Sequence, residues 1–243
     1  REAQRRASTA YLPTGVYYML PERLGCELAS LHVGEPRPAM RTSAWFDPAG
    51  KLLRHSLSRV TIRVAQRLDY DTADALLESG EGDTAEALRL LDDVAGHCRA
   101  SRREAGAVSF QRPEWKIRVS PDGAEISILP IAAVSRSRQL VAEMMILVNR
   151  LAAERAAEAE LPMIFRVQPP PVGKIPEVAP DDPAAFTKLR GLLQPASLSL
   201  EPKWHWGLGV RSYTQVSSPL RRYSDLVAQR QLTALIEDQP PPY

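Results

Sequence analysis

A mixed α+β fold, with antiparallel sheet packed against helices, is what this sequence predicts. Three observations point there. Two stretches read as strand–turn–strand hairpins, and two long segments repeat apolar residues at helical spacing. The 21 prolines against 13 glycines favour fixed turns and extended connections over flexible linkers.

In chain order, residues 38–46 (PAMRTSAWF) form the first predicted strand. The turn Asp47-Pro48-Ala49-Gly50 has Asp and Pro where a type I turn wants them and Gly at its end, and a second strand runs from Lys51 to about Val64. A helix over about 84–104 follows, with Leu88, Leu91, Ala95 and Cys98 on one face and Asp83 or Thr84 as its cap. Residues 107–111, 115–119 and 124–131 read as strands, and Pro121-Asp122-Gly123 makes the last two a hairpin. A second helix spans about 137–159. Its wide apolar stripe of Leu140, Val141, Met144, Met145, Val148, Leu151 and Ala152 places it in the domain centre. The proline-rich stretch 168–183 is expected to be a surface connection. Asp182-Pro183 then caps a short helix that turns Phe186, Leu189 and Leu193 inward. The last helix is expected to begin at Ser218, with Pro219 at its first position and Leu220, Tyr223, Val227 and Ala234 on its apolar side. The terminal PPPY resembles a WW-domain ligand in composition, but a tail exposed by truncation accounts for it much better.

The 243 residues suit one large domain or two small ones, and 44% hydrophobic with 25% charged residues is ordinary for a globular chain. A net charge of +2 decides nothing about partners, because a local basic groove, not the global sum, is what binds phosphate. Cys26 and Cys98 stand far apart with no neighbouring cysteine or histidine pair, so no zinc spacing exists. The expectation is a reducing, cytoplasmic setting. No apolar run approaches the ~20 residues that span a bilayer, so no membrane partner is expected. The first residues lack a signal-peptide core and an initiator Met, which suggests a start inside a larger protein.

Residues 204–230 (WHWGLGVRSYTQVSSPLRRYSDLVAQR) are the most informative. Gly207 and Gly209 allow tight backbone geometry. Ser218-Pro219 then opens a helix whose first turn would hold Arg221 and Arg222. Cations there oppose the helix dipole, unless a bound anion removes the conflict. Two guanidinium groups beside free backbone N–H groups would make a strong phosphate site. The plain alternative is that Arg221 pairs with Asp225 one turn later as an ordinary salt bridge.

This segment resembles the ribonuclease II/R signature HFGLG…Y…TSPIRRYxDLxxHR, standing here as HWGLG (205–209), Tyr213 and SSPLRRYSDLVAQR (217–230). STAYLPTGVYYMLPERLGCELASL (8–31), DPAGKLLRH…RLDY (47–70) and LVAEMMILVNRLAA (140–153) are similar, in the same order, to further family motifs. The resemblance thus covers nearly the whole chain and implies one RNB-type catalytic domain over 1–243, partial at both ends. It implies a 3′→5′ exoribonuclease that hydrolyses single-stranded RNA to nucleoside 5′-monophosphates with Mg2+, in a channel that admits only single strands.

Residue by residue, the resemblance assigns Arg221 to the scissile phosphate and Tyr70 to a place near the reacting phosphate. On its residues alone Tyr70 reads as a half-buried strand tyrosine. Tyr11 and Phe110 match two aromatics that clamp the stacked 3′-terminal bases, a sequence-tolerant contact. Arg222, Tyr223, Asp225, His205 and Tyr213 belong to the same motif as RNA-side support. The implied metal ligands are an aspartate cluster of the form DxxxxxDxDD, expected upstream of Arg1. Within this chain, Asp69 and Asp71 lie at the wrong place for it, Asp92-Asp93 reads as an exposed helix face, and Asp181-Asp182 reads as a helix cap. Three positions depart from the pattern: Ala142 stands for a glutamate, Gln229 for a histidine and Val64 for a serine. The rival reading is a catalytically impaired relative that binds RNA and regulates. Further expectations are single-stranded RNA as partner, a monomer, and flanking nucleic-acid-binding modules.

Overall fold

The computed structural model describes residues 1–108, 114–120, 123–131, 135–173, 175, 187 and 191–243. The α+β expectation holds, with one refinement. Among the described residues the strands form four separate two-stranded antiparallel ribbons, not one sheet. After a short helix α1 (Glu2–Arg6), β1 (Ala10–Leu12) pairs with β2 (Gly15–Tyr17), and a single π-helical turn (Arg23–Leu28) follows.

The long ribbon of β3 (Pro36–Phe46) and β4 (Leu52–Arg63) matches the first predicted hairpin. Its turn forms because the Asp47 carboxylate accepts the Lys51 N–H at 2.8 Å and the Asp47 carbonyl accepts the Gly50 N–H at 2.9 Å. Gly50 is required twice over: its φ is +78°, and a Cβ there would sit 2.2 Å from the His97 ring. One face of the ribbon supplies Met40 and Leu57 to the core.

Helix α2 (Tyr70–Ser79) starts where the sequence suggested a strand end. Asp69 is its N-cap, its carboxylate accepting the Thr72 N–H at 2.8 Å. That bond holds the Asp69 carboxyl below the usual range. Tyr70 is therefore the first helical residue, which corrects the strand reading. Helix α3 (Asp83–Glu104) is capped by Gly82 with no side-chain bond, so neither Asp83 nor Thr84 caps it; Asp83 instead sits in the first turn, where its charge complements the dipole. Ala85 and Ala95 are buried on this helix while Leu91 is exposed. Residues Ala107 and Val108 are not in a strand. The Val108 N–H donates to the Gly207 carbonyl at 3.2 Å, and the rest of that predicted strand, Phe110 included, lies outside the described residues. The predicted hairpin is present as β5 (Glu114–Val119) and β6 (Ile126–Ile131).

Helix α4 (Arg136–Glu158) is the central element, capped by Ser135, whose hydroxyl accepts the Arg138 N–H at 3.1 Å. Leu140, Leu151 and Ala152 of the predicted stripe are buried, but Glu143 and Leu147 are buried where Val141, Met144, Met145 and Val148 were expected, a rotation of the buried face; Val141 is exposed. Beyond Leu151 the buried positions are alanines (152, 153 and 156), small enough to let neighbours approach closely. They cluster with Leu161, Met163, Phe165, Val216, Ala228 and Leu232 in the main core, and burying Phe165 alone is worth ~1.5–3 kcal/mol. β7 (Phe165–Val167) pairs with β8 (Ser197–Ser199). The short helix expected after Asp182-Pro183 falls mostly outside the described residues. The last helix, α5, runs over Tyr223–Ile236, four residues later than the Ser-Pro signal suggests.

Candidate functional site

The late start of α5 changes the character of Arg221. Residues 218–222 form a turn ahead of the helix, in which the N–H groups of Arg221 and Arg222 both donate to the Ser218 carbonyl, at 3.1 and 3.0 Å. Arg222 occupies the N-cap position in extended conformation. Neither arginine is in the first helical turn, so the predicted conflict with the helix dipole does not arise. The salt-bridge alternative is settled with a change of partner. Asp225 is paired with Arg222, through a two-point fork at 2.8 Å on each arm, and not with Arg221. The Arg221 side chain is exposed and makes no hydrogen bond or ion pair among the described residues.

The extended segment that leads into this turn is held residue by residue. Asn149, buried on α4, accepts the Val216 N–H at 2.9 Å and donates to the Tyr213 hydroxyl at 2.9 Å. Gln229 on α5 donates to the Val216 carbonyl at 2.7 Å. From the other end of the chain, the Thr9 N–H donates to the Arg221 carbonyl at 2.9 Å and the Tyr223 N–H donates to the Ala7 carbonyl at 2.8 Å.

Arg221 lines a cavity of about 630 Å3 together with Tyr11, Tyr18, Met40, Val148 and Gln229. Tyr11 is 62% exposed on β1. The structure thus brings together two of the predicted residues, Arg221 and Tyr11, from opposite ends of the sequence. Tyr70 does not line that cavity; it lies where α2 meets the start of α4. The Ser137 hydroxyl donates to the Tyr70 carbonyl at 3.1 Å, and the Arg138 guanidinium lies 4.2 Å over the Tyr70 ring. The carboxyl of Asp74, which accepts the Ser137 N–H at 2.7 Å, ties the same junction. Burial alone would raise that carboxyl, but bonds from Ser137 and Ser135 and the charge of Arg138 outweigh it and hold it low. Phe110 lies outside the described residues.

The remaining motif residues are interior or self-paired. His205 and Tyr213 are buried and meet edge to face at 5.6 Å. Burial, reinforced by the charge of Arg166, holds the imidazole down to about 4, so it is neutral at pH 7, and burial pushes the Tyr213 phenol up. The half-buried Tyr223 has its phenol pushed up by burial and by the neighbouring Tyr243, whose hydroxyl accepts from Arg230 at 2.6 Å. The glycines of HWGLG answer to close contacts. Gly209 has φ +64°, and a Cβ on it would lie 2.5 Å from the Arg102 carbonyl; one on Gly207 would lie 2.4 Å from Gln168. That stretch is therefore scaffold for the turn that follows it.

Sequence reasoning missed Arg138, Asn149 and the positive role of Gln229. The signal for Arg138 was its place three residues after a Ser cap, which turns it toward the neighbouring α2. Asn149 stood inside a quoted motif, but only the fold shows that it bridges α4 to the loop. Among the described residues, no three or more His, Cys, Asp or Glu side chains gather to hold a metal ion. The described residues of this chain therefore do not by themselves supply a magnesium centre. No helix among them is long and apolar enough to cross a membrane.

Comparison with known proteins places this geometry. The chain is 32% identical over all of its length to an uncharacterized ribonuclease of Synechocystis sp., of which it covers 36%. Over 97% of its length it is 33% identical to the chloroplastic/mitochondrial ribonuclease II of Arabidopsis thaliana, of which it covers 30%. It thus spans about a third of the length of these relatives. The apo form of Mycoplasma genitalium RNase R shares the fold at a TM-score of 0.84 and 24% identity, over 96% of this chain and 42% of that one. The RNB domain model matches residues 1–238, and the chain belongs to the RNB domain family.

Proposed function

We propose that the protein carrying this chain is a 3′→5′ exoribonuclease that hydrolyses single-stranded RNA to nucleoside 5′-monophosphates in the presence of magnesium. The observation that carries the proposal is the shared cavity of Arg221 and Tyr11. A guanidinium without a protein partner offers a planar, five-donor fork to a phosphate. An exposed tyrosine on a strand offers a face on which any base can stack. The adjacent Arg222 is already engaged by Asp225, which leaves Arg221 as the guanidinium of this turn without a partner among the described residues. The relatives that carry ribonuclease names support the same reading. Tyr70, steadied by Arg138, is proposed to stand near the reacting phosphate. Phe110 is proposed as the second base clamp. His205, Tyr213 and Tyr223 support the loop and are not proposed as direct RNA contacts.

The test is incubation of the intact protein with 5′-labelled single-stranded RNA and Mg2+, with products identified by mass spectrometry. The expected outcome is stepwise shortening from the 3′ end with release of 5′-monophosphates, and poor cleavage of DNA of the same sequence, which offers no 2′-hydroxyl. Internal cuts or nucleoside 3′-phosphates would refute the assignment.

A second reading has its own observation. Ala142 is exposed on α4 where the family pattern carries a glutamate, and the adjacent Glu143 cannot substitute: it is buried in a two-point ion pair with Arg102. An RNA-binding protein of impaired turnover would bind the same RNA and release no nucleotide, and Ala142→Glu would then raise the rate.

A further inference from the structure

Arg221 is the free member of its turn, yet the turn itself is fixed from beneath by one carboxylate. Asp225 is 0% exposed. Its Oδ2 accepts the Ser218 N–H at 2.8 Å and Arg222 Nη2 at 2.8 Å; its Oδ1 accepts Arg222 Nε at 2.8 Å and the Ser224 hydroxyl at 3.2 Å. Donors that precede Arg221 and donors that follow it thus converge on a single group.

We propose that Asp225 is the positioning residue for Arg221: it closes the Ser218–Arg222 turn around its own carboxylate and so fixes the backbone from which Arg221 reaches into the cavity. The proposal deepens the exoribonuclease reading and rests on it. Two physical consequences follow from the geometry. Ordering a turn costs conformational entropy, and here that cost is met at folding instead of at each turnover. The Asp225 carboxylate also neutralises Arg222, so the charge presented to a phosphate in the cavity is that of Arg221 alone. A buried ion pair need not add net stability. A directing role accounts for why four donors meet on a carboxylate where an apolar side chain would serve the core equally well.

The experiment is a double-mutant cycle in the intact protein, using a 5′-labelled oligoadenylate, Mg2+ and single-turnover conditions at saturating enzyme. Dissociation constants are measured in parallel with Ca2+ in place of Mg2+. Asp225→Asn keeps the volume but can accept from only one side of the turn. It is expected to lower the saturated rate roughly 10- to 100-fold, the scale of a misplaced catalytic group, with RNA affinity nearly unchanged. On the Arg221→Ala background the same substitution is expected to change the rate less than about twofold, because effects of residues that act as one unit do not add. Equal fold-losses on both backgrounds overturn the proposal and leave the exoribonuclease reading standing. A rate unchanged by Arg221→Ala also overturns the proposal, whereas no shortening of the oligoadenylate by the natural protein overturns the exoribonuclease reading itself. Should Asp225→Asn fail to fold, Arg222→Lys takes its place, since it keeps the charge and loses the fork. The same pattern is then expected at a few-fold amplitude, and additivity again overturns it.

Discussion

Glu143 on α4 is gripped at two points by Arg102 on α3, and the remaining arm of the same guanidinium donates to the Leu208 carbonyl at 2.9 Å. Three parts of the fold meet in one ion pair. Both side chains are largely buried, so deleting one partner leaves an unpaired charge in the interior. Arg102→Ala is expected to destabilise the protein by ~3–5 kcal/mol in urea unfolding. The apolar pair Arg102→Met with Glu143→Leu should recover much of that loss. A double variant no more stable than the single one would mean that the bond to Leu208, not the ion pair, is what matters.

Arg221 is expected to act on the transition state more than on affinity. RNA gains many contacts along its path, so one arginine adds little to binding, whereas charge developing on the phosphate is felt most by an aimed guanidinium. Arg221→Ala should slow the saturated single-turnover rate by ~100-fold or more, the scale of losing one oxyanion-type donor. Arg221→Lys should rescue poorly, since an ammonium lacks the planar fork. Collapse of affinity with an unchanged rate at saturation would make Arg221 a binding residue only.

Tyr11 is mostly solvent-exposed, so its ring contributes little to the core. Tyr11→Ala should therefore change the unfolding free energy by no more than about 0.5 kcal/mol. RNA binding should weaken by ~1–3 kcal/mol, equally for oligo-A and oligo-U of one length, because every base has a face to stack. Fluorescence anisotropy on the two oligomers measures this. A large loss of thermal stability would assign Tyr11 to packing.

His205 gives the fold a pH dependence. Its imidazole is held from 6.5 down to about 4 in the folded state, chiefly by burial. Between those values the unfolded chain binds a proton that the folded chain excludes. Its contribution is therefore fully present above pH 6.5 and is lost as pH falls toward 4. At pH 5 the linkage amounts to roughly 2 kcal/mol. Urea unfolding at pH 7.5 and pH 5 should show a larger loss for the natural protein than for His205→Phe, which keeps an aromatic ring against Tyr213. Equal losses would locate the effect in other groups.

Much of this was legible in the sequence, and the misreadings have physical causes. Hairpins and long helices were found because their signals are local: Asp47 and Gly50 make a turn wherever they fall, and α4 carries its own periodicity. The rotation of the α4 stripe was hidden because Glu143 is buried by a partner 41 residues away, and a charged residue in a periodic pattern reads as solvent-facing. Tyr70 was read as a strand tyrosine because the capping role of Asp69, which makes Tyr70 the first helical residue, went unrecognised. Ser218-Pro219 imitates a helix start, but here Ser218 gives its backbone N–H to Asp225 and the turn closes first. The cavity of Tyr11 and Arg221 joins residues from the two ends of the chain, and no local pattern records such a meeting.

The clasp between the first strand region and the arginine turn bears on how the protein matures. Ser8 bridges to Arg222 in antiparallel fashion, so the two are joined across almost the whole chain. Closing a loop of that length carries an entropic cost that only late-forming contacts can offset, and pairings so remote in sequence come late in folding. The turn that carries Arg221 therefore acquires its final backbone only when synthesis has passed α5 and the N-terminal segment has returned to meet it. An incomplete or nicked chain exposes Tyr11 without a fixed Arg221 beside it. The competence of the site is thus tied to the integrity of the chain.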